Sequence, residues 1–130
     1  MICSQDFIEK IASTIAQTPQ ALFAVLIGSR ATGKPRSDSD WDIAILWQQS
    51  PALERIARHE TLRRHLAKAL SVPENQIDLV DLANARLAMR TLVAEEGHLL
   101  HANDELAWAK FLVRTWRELE EVHWEKSHAV

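Results

Sequence analysis

Two seven-residue runs, ALFAVLI at 21–27 and WDIAILW at 41–47, constrain this chain more than any other feature. Each is short, continuously apolar and bounded by turn-forming residues, so each reads as a buried strand. The first stops at Gly28. The second carries Asp42 inside it and follows Asp40 directly. On a strand, side chains two apart share a face, so Asp40 and Asp42 point together while Trp41 and Ile43 point the other way. A third run, QIDLVDL at 76–82, reads as another strand and holds Asp78 between Ile77 and Leu79.

Helices fill the space between these runs. Phe7, Ile8, Ile11 and Ile15 recur at helical spacing over residues 4–17, and Pro19 closes that segment. Ser50-Pro51 is expected to supply an N-cap and a first helical position for a helix reaching Leu70. Leu53, Ile56, Leu62, Leu66 and Leu70 are its expected inner face, and Arg55, Arg58, Arg63, Arg64 and Lys68 its outer one. Asn84 is expected to cap a further helix through Glu96, with Gly97 at its end. HLLHA at 98–102 is ambiguous. Asn103, Asp104 and Glu105 open a last helix whose expected apolar side is Leu106, Phe111, Leu112, Trp116 and Leu119. The order α-β-β-α-β-α-α implies an α/β (α+β) fold, a small mixed sheet of three to four strands covered by helices.

The acidic residues need a reason. Two adjacent carboxylates repel, and each raises the other's pKa. A divalent cation removes that penalty, and Mg²⁺ takes oxygen ligands while leaving room for phosphates. If strands 41–47 and 76–82 pair, Asp78 joins Asp40 and Asp42. Three carboxylates can hold two ions about 3.5–4 Å apart, the spacing of in-line phosphoryl or nucleotidyl displacement. Asp81 has the opposite strand parity to Asp78 and is left out. Gly28 lets a ligand approach the backbone, and Ser29 offers a hydroxyl and free N–H groups to a phosphate. Arg30, Lys34 and Arg36 can neutralise the remaining phosphate charge. Taken singly, a Gly-Ser turn is a turn and an Asp-x-Asp pair a solvated strand end. Joined at this spacing, with an acidic residue inside a later strand, they read as a triphosphate cradle beside a metal site.

Totals narrow the class. A chain of 130 residues fits a single domain over residues 1–130. A formal charge of −3 offers no basic field for nucleic acid, so no direct nucleic-acid partner is expected. No run of about 18 apolar residues is present, which argues against a membrane span. The start, MICSQDFIEK, turns acidic at once, and a lone Cys3 cannot form an internal disulfide; both favour the cytoplasm.

Gly28-Ser29, ten intervening residues and Asp40-Trp41-Asp42 resemble the signature of the polymerase-beta-like nucleotidyltransferase superfamily, with IDLVDL matching the strand of its third carboxylate. The resemblance covers roughly residues 5–125. Shortness and the segment AMRTLVAEEGHLLHANDELAWAKF resemble the minimal nucleotidyltransferase (MNT) antitoxins of type VII modules, which are paired with a HEPN-domain toxin ribonuclease. The resemblance implies transfer of AMP from ATP to a tyrosine of the toxin, with Mg²⁺ as cofactor and Asp40, Asp42 and Asp78 as catalytic and metal-binding residues. It also implies nucleotide binding by Gly28, Ser29, Arg30, Lys34 and Arg36. A small-molecule, aminoglycoside-type nucleotidyltransferase is the alternative, although the 52 residues after Asp78 leave little for a drug-binding domain. A third reading is an antitoxin that acts by stoichiometric binding.

Other residues carry less. Trp41 and Trp47 read as core or sheet-face residues. Trp108, Trp116 and Trp124 recur every eight residues, a packing stripe or a partner face. His59, His65, His98, His101, His123 and His128 show no metal-ligand spacing.

Overall fold

The structure is a computed structural model that describes residues 4–33 and 40–129. In chain order it contains α1 (Ser4–Ala16), β1 (Ala21–Ile27), β2 (Trp41–Trp47), α2 (Ala52–Leu70), β3 (Ile77–Asp81), α3 (Leu87–Glu96), β4 (His98–Ala102) and α4 (Glu105–His128). Short 3-10 turns at Glu74–Gln76 and Leu82–Asn84 flank β3. The sheet order is β3-β2-β1-β4. β1 runs antiparallel to both neighbours, and β2 runs parallel to β3. This is the expected mixed α/β fold, with the ambiguous segment 98–102 supplying the fourth strand. No helix among the described residues is long and apolar enough to cross a membrane.

The central strands are buried on both sides, which explains their continuous apolar runs. Ala24, Leu26, Ile43, Ile45 and Leu79 pack against Ile11 and Ile15 of α1 and Leu62, Leu66 and Leu70 of α2. On the opposite face Phe23, Val25, Ile27 and Ala44 meet Val93 of α3 and Phe111 of α4. Trp108 packs on Phe23 with ring centroids 5.0 Å apart. Gly97 sits where any Cβ would overlap Val25 Cγ1 and the Val93 carbonyl. It ends α3 at φ −75°, so packing rather than a left-handed turn requires glycine there.

The helices depart from their expected faces. Leu53 and Ile56 are 82% and 58% exposed. The inner stripe of α2 instead runs Arg55, His59, Leu62, Leu66, Leu70. Arg55 Nε pairs with Asp81 Oδ2 at 2.9 Å. The Trp47 indole donates to His59 Nδ1 at 3.0 Å, which leaves the proton on Nε2 to donate to the Leu79 carbonyl at 3.1 Å. Two polar residues thus replace apolar ones in the first half of the stripe, and the helix rotates to suit them. In α4, Leu106 and Trp116 face outward, and Thr115 is buried instead.

Two caps also move. Pro51, not Ser50, occupies the N-cap position of α2, and its carbonyl accepts the Arg55 N–H at 3.1 Å. Asn84 does not cap α3. The Asp81 side chain accepts the Ala83 N–H, which winds Leu82–Asn84 into its own turn and delays α3 to Leu87. Asp104 does cap α4, accepting the Ala107 N–H at 3.0 Å.

Asn103 has a larger role than opening α4. Its Nδ2 donates to the carbonyls of Ile15, Thr18 and Ala21 at 2.9, 3.0 and 2.8 Å. One side chain thereby ties the end of α1 and the start of β1 to the end of β4. Asn103→Ala should lower stability by about 1–3 kcal/mol. Urea denaturation checks this: the midpoint should fall with an unchanged slope.

Candidate functional site

The parallel register of β2 and β3 sets Asp42 directly beside Asp78. On its other side Asp42 pairs with Ile27, the last residue of β1. Adjacent Cα atoms across such a sheet lie about 5 Å apart, so the two carboxylates stand side by side. The face is fixed by neighbours: Trp41 and Ile43 are locked into the α1–α2 side, so Asp42 and Asp78 emerge on the α3–α4 side.

Gly28 follows β1 immediately and lies against Asp42. Its φ is +77°, and a Cβ there would overlap the Asp42 carboxylate. Glycine is therefore needed twice, for the left-handed backbone and for the space taken by Asp42. The Gly28 carbonyl accepts the N–H groups of Ala31 and Thr32 at 3.0 and 3.2 Å, winding residues 28–32 into a turn. Ser29 is exposed at its start.

Arg30 lies with its guanidinium 4.0 Å from the centroid of the Trp41 ring, and Phe7 packs on the same ring at 5.3 Å. Burial lowers the Arg30 pKa, and the Asp40 charge opposes that shift. Arg30 therefore stands by the α1–α2 face, not on the side from which Asp42 and Asp78 project. Lys34 and Arg36 lie outside the described residues.

Asp40 precedes β2 and has no ladder partner to fix it. Among the described residues no group of three or more His, Cys, Asp or Glu side chains is gathered to hold a metal ion. The structure thus brings together Asp42 and Asp78, with Asp40 acting on Asp42 through its charge. Asp81 is engaged elsewhere by Arg55, as its parity implied. Arg90, on α3, pairs with Glu118 of α4.

Burial raises the Asp42 pKa, and the Asp78 and Asp40 charges push it further in the same direction. The donor set is all oxygen and carries excess negative charge, which fits a hard divalent cation rather than a soft one.

His98 escaped the sequence reading. Its Nε2 lies 2.9 Å from the Ala31 carbonyl, so β4 holds the turn that carries Ser29. A bond to a main-chain carbonyl requires no particular residue at the other end, so it leaves no sequence pattern.

A raised folded-state pKa fixes the sign of the pH effect. Asp42 contributes most stability when protonated, below the ordinary carboxylate range, and that contribution is lost as pH rises through its raised value. Asp42→Asn should therefore stabilise the metal-free protein at neutral pH by about 0.5–1 kcal/mol. The gain should shrink on acidification and on adding Mg²⁺ to the wild type. Thermal unfolding across pH, with and without the ion, checks all three.

Residues 9–106 match the polymerase beta nucleotidyltransferase family. The chain is 27% identical over 104 residues to the protein adenylyltransferase MntA of Aphanizomenon flos-aquae (strain 2012/KM1/D3), covering 77% of this chain and 69% of that protein. It superposes at a TM-score of 0.69 on a chain from the crystal structure of a toxin–antitoxin with AMP-PNP, at 31% identity and with 92% of each chain covered. A tri-AMPylated Shewanella oneidensis HEPN toxin in complex with an MNT antitoxin provides another match, at a TM-score of 0.68 and 27% identity, covering 96% of this chain and 93% of the other. With three quarters of its length inside that family and the paired carboxylates at the foot of its Gly-Ser turn, the chain belongs to the polymerase beta nucleotidyltransferases.

Proposed function

We propose that this chain is a single-domain, cytoplasmic MNT antitoxin of a type VII HEPN/MNT module. It would act as a Mg²⁺-dependent protein adenylyltransferase that moves AMP from ATP to a tyrosine hydroxyl of its cognate HEPN toxin and so neutralises it. The observation that carries this reading is the Asp42–Asp78 pair beneath the Gly28-Ser29 turn. The similarity to MntA and to HEPN-toxin complexes supports the choice of acceptor.

Each residue has a distinct task. Ser29 presents its hydroxyl and N–H to the phosphates at the start of the turn. Gly28 keeps the approach open. Arg30, Lys34 and Arg36 are assigned to the remaining phosphate charge. Asp40, Asp42 and Asp78 would hold Mg²⁺, two ions in all, which when bound screens the triphosphate and lowers the pKa of the acceptor hydroxyl. Asp78 orients that hydroxyl and accepts its proton. The tyrosine oxygen then bonds to the α-phosphorus, the bond to the bridging oxygen breaks, and pyrophosphate leaves with that electron pair.

Asp42→Asn and Asp78→Asn should both lower AMP transfer by about 10²–10³-fold, read by mass spectrometry of the toxin after incubation with ATP and Mg²⁺. They should differ in binding: Asp78→Asn keeps calorimetric ATP·Mg²⁺ binding, while Asp42→Asn loses much of it. Full toxin neutralisation by both variants would support stoichiometric binding instead, and transfer to an aminoglycoside but not to the toxin would support the small-molecule reading.

The cradle has its own test. Ser29→Ala should weaken ATP about threefold to tenfold, the loss of one hydrogen bond. Gly28→Val should abolish ATP binding, because the side chain must displace Asp42. ATP titration of both variants, with circular dichroism as a check on folding, reads the outcome.

A further inference from the structure

The turn that carries Ser29 is bounded by two glycines in the left-handed region, Gly28 at φ +77° and Gly33 at φ +81°. Both ends are therefore soft, and the position of the turn depends on what grips its middle. Ala31 is that middle, held in three ways. Its N–H donates to the Gly28 carbonyl at 3.0 Å. Its methyl is buried in the α1–α2 core, 8% exposed. Its carbonyl lies 2.9 Å from His98 Nε2.

The third contact spans the sheet. Arg30 grips the turn from the β2 side through Trp41. His98 grips it from the β4 side. β4 pairs with β1 through Leu26↔His98 and Ala24↔His101, with a register shift between Ala24 and Val25. Bulges of this kind re-aim side chains, and the register here sets His98 opposite Leu26, one residue from the end of β1 and next to the turn. Removing the His98 bond leaves the Ala31 carbonyl without this donor and frees the turn on one side.

Resting on the nucleotidyltransferase reading, we propose that His98 is a positioning residue: through Ala31 it holds Ser29 where the nucleotide phosphates bind. It touches neither nucleotide nor acceptor. Its effect belongs to ground-state ATP binding and leaves the chemical step alone.

The test compares His98→Ala, His98→Gln and His98→Met with wild type. Gln offers an N–H at nearly the reach of Nε2; Met fills similar space and offers no donor. ATP·Mg²⁺ affinity is measured by calorimetry without acceptor, and KM and kcat by AMP transfer to the purified toxin. Ala and Met should weaken ATP affinity and raise KM about threefold to tenfold, the worth of one hydrogen bond, with kcat within about twofold of wild type. Gln should restore most of the affinity. Hydrogen exchange at residues 28–33 should quicken in Ala and Met alone.

Wild-type affinity in Ala and Met would overturn the proposal. So would a Gln variant as weak as Met, because packing and not the bond would then matter. A fall in kcat matching the rise in KM, with a broad loss of thermal stability, would make His98 merely structural and overturn it too. If Ala fails to fold, the Gln–Met pair decides. If wild type binds ATP but leaves the toxin unmodified, the assigned acceptor fails, while the affinity ratios still judge His98.

Discussion

A pair of like charges held side by side is the constraint that organises this protein. Left to themselves, Asp42 and Asp78 would separate and solvate. They cannot, because each lies between apolar residues that bury on the far face: Trp41 and Ile43 around one, Ile77 and Leu79 around the other. Sliding either strand by one residue would take those side chains out of the α1–α2 core and put the carboxylates into it. The burial of four large side chains therefore enforces a contact that costs free energy locally. Burial first, and then the neighbouring Asp78 charge, push the Asp42 pKa upward. Unfavourable charge of this kind persists where the surrounding fold over-determines it, and such sites concentrate at functional positions.

Gly28 belongs to the same arrangement. Asp42 needs the volume that a side chain at residue 28 would take, and the backbone there needs a conformation that side chains disfavour. The strand end, the turn and the carboxylate are thus one unit. The turn's soft glycine ends permit its shape, and Arg30, Ala31 and His98 hold it in that shape. A rigid sheet supplies the acidic half of the site and a clamped turn supplies the other half.

The difference between these halves explains what could be read from the sequence. The strands at 21–27 and 41–47 were legible to the residue because strands buried on both faces are continuous apolar runs. The juxtaposition of Asp42 and Asp78 was legible because both acids sit inside runs that read as strands, and parity set Asp81 on the other face. The inner face of α2 was misread because Arg55 and His59 occupy it, and their partners, Asp81, Trp47 and the Leu79 carbonyl, come from distant strands. Apolar counting cannot see an inward polar residue whose partner is far along the chain. β4 was obscure because it is an edge strand with an irregular register, exposed at His98 and Leu99. Asp40 was legible by spacing, but spacing could not say that it precedes the ladder and so escapes the fixed pair.

The layering of the fold also bears on the acceptor. α1 and α2 close one face of the sheet, and α3 and α4 close the other. Asp42, Asp78 and Gly28 lie where β1 ends and β2 and β3 begin, so the site lies at the end of the sheet. The grooves along α1 and α2 share no residue with it. A small acceptor needs enclosing walls to hold its reacting oxygen in line, because proximity and orientation supply much of the rate. A site at the end of a covered sheet suits an acceptor that brings its own wall. On the proposed reading, a tyrosine on a folded partner would meet that requirement: the partner's surface would fix the hydroxyl, and this chain would fix the nucleotide. On that reading, the work is divided between two proteins, one fixing the reacting oxygen and the other the nucleotide.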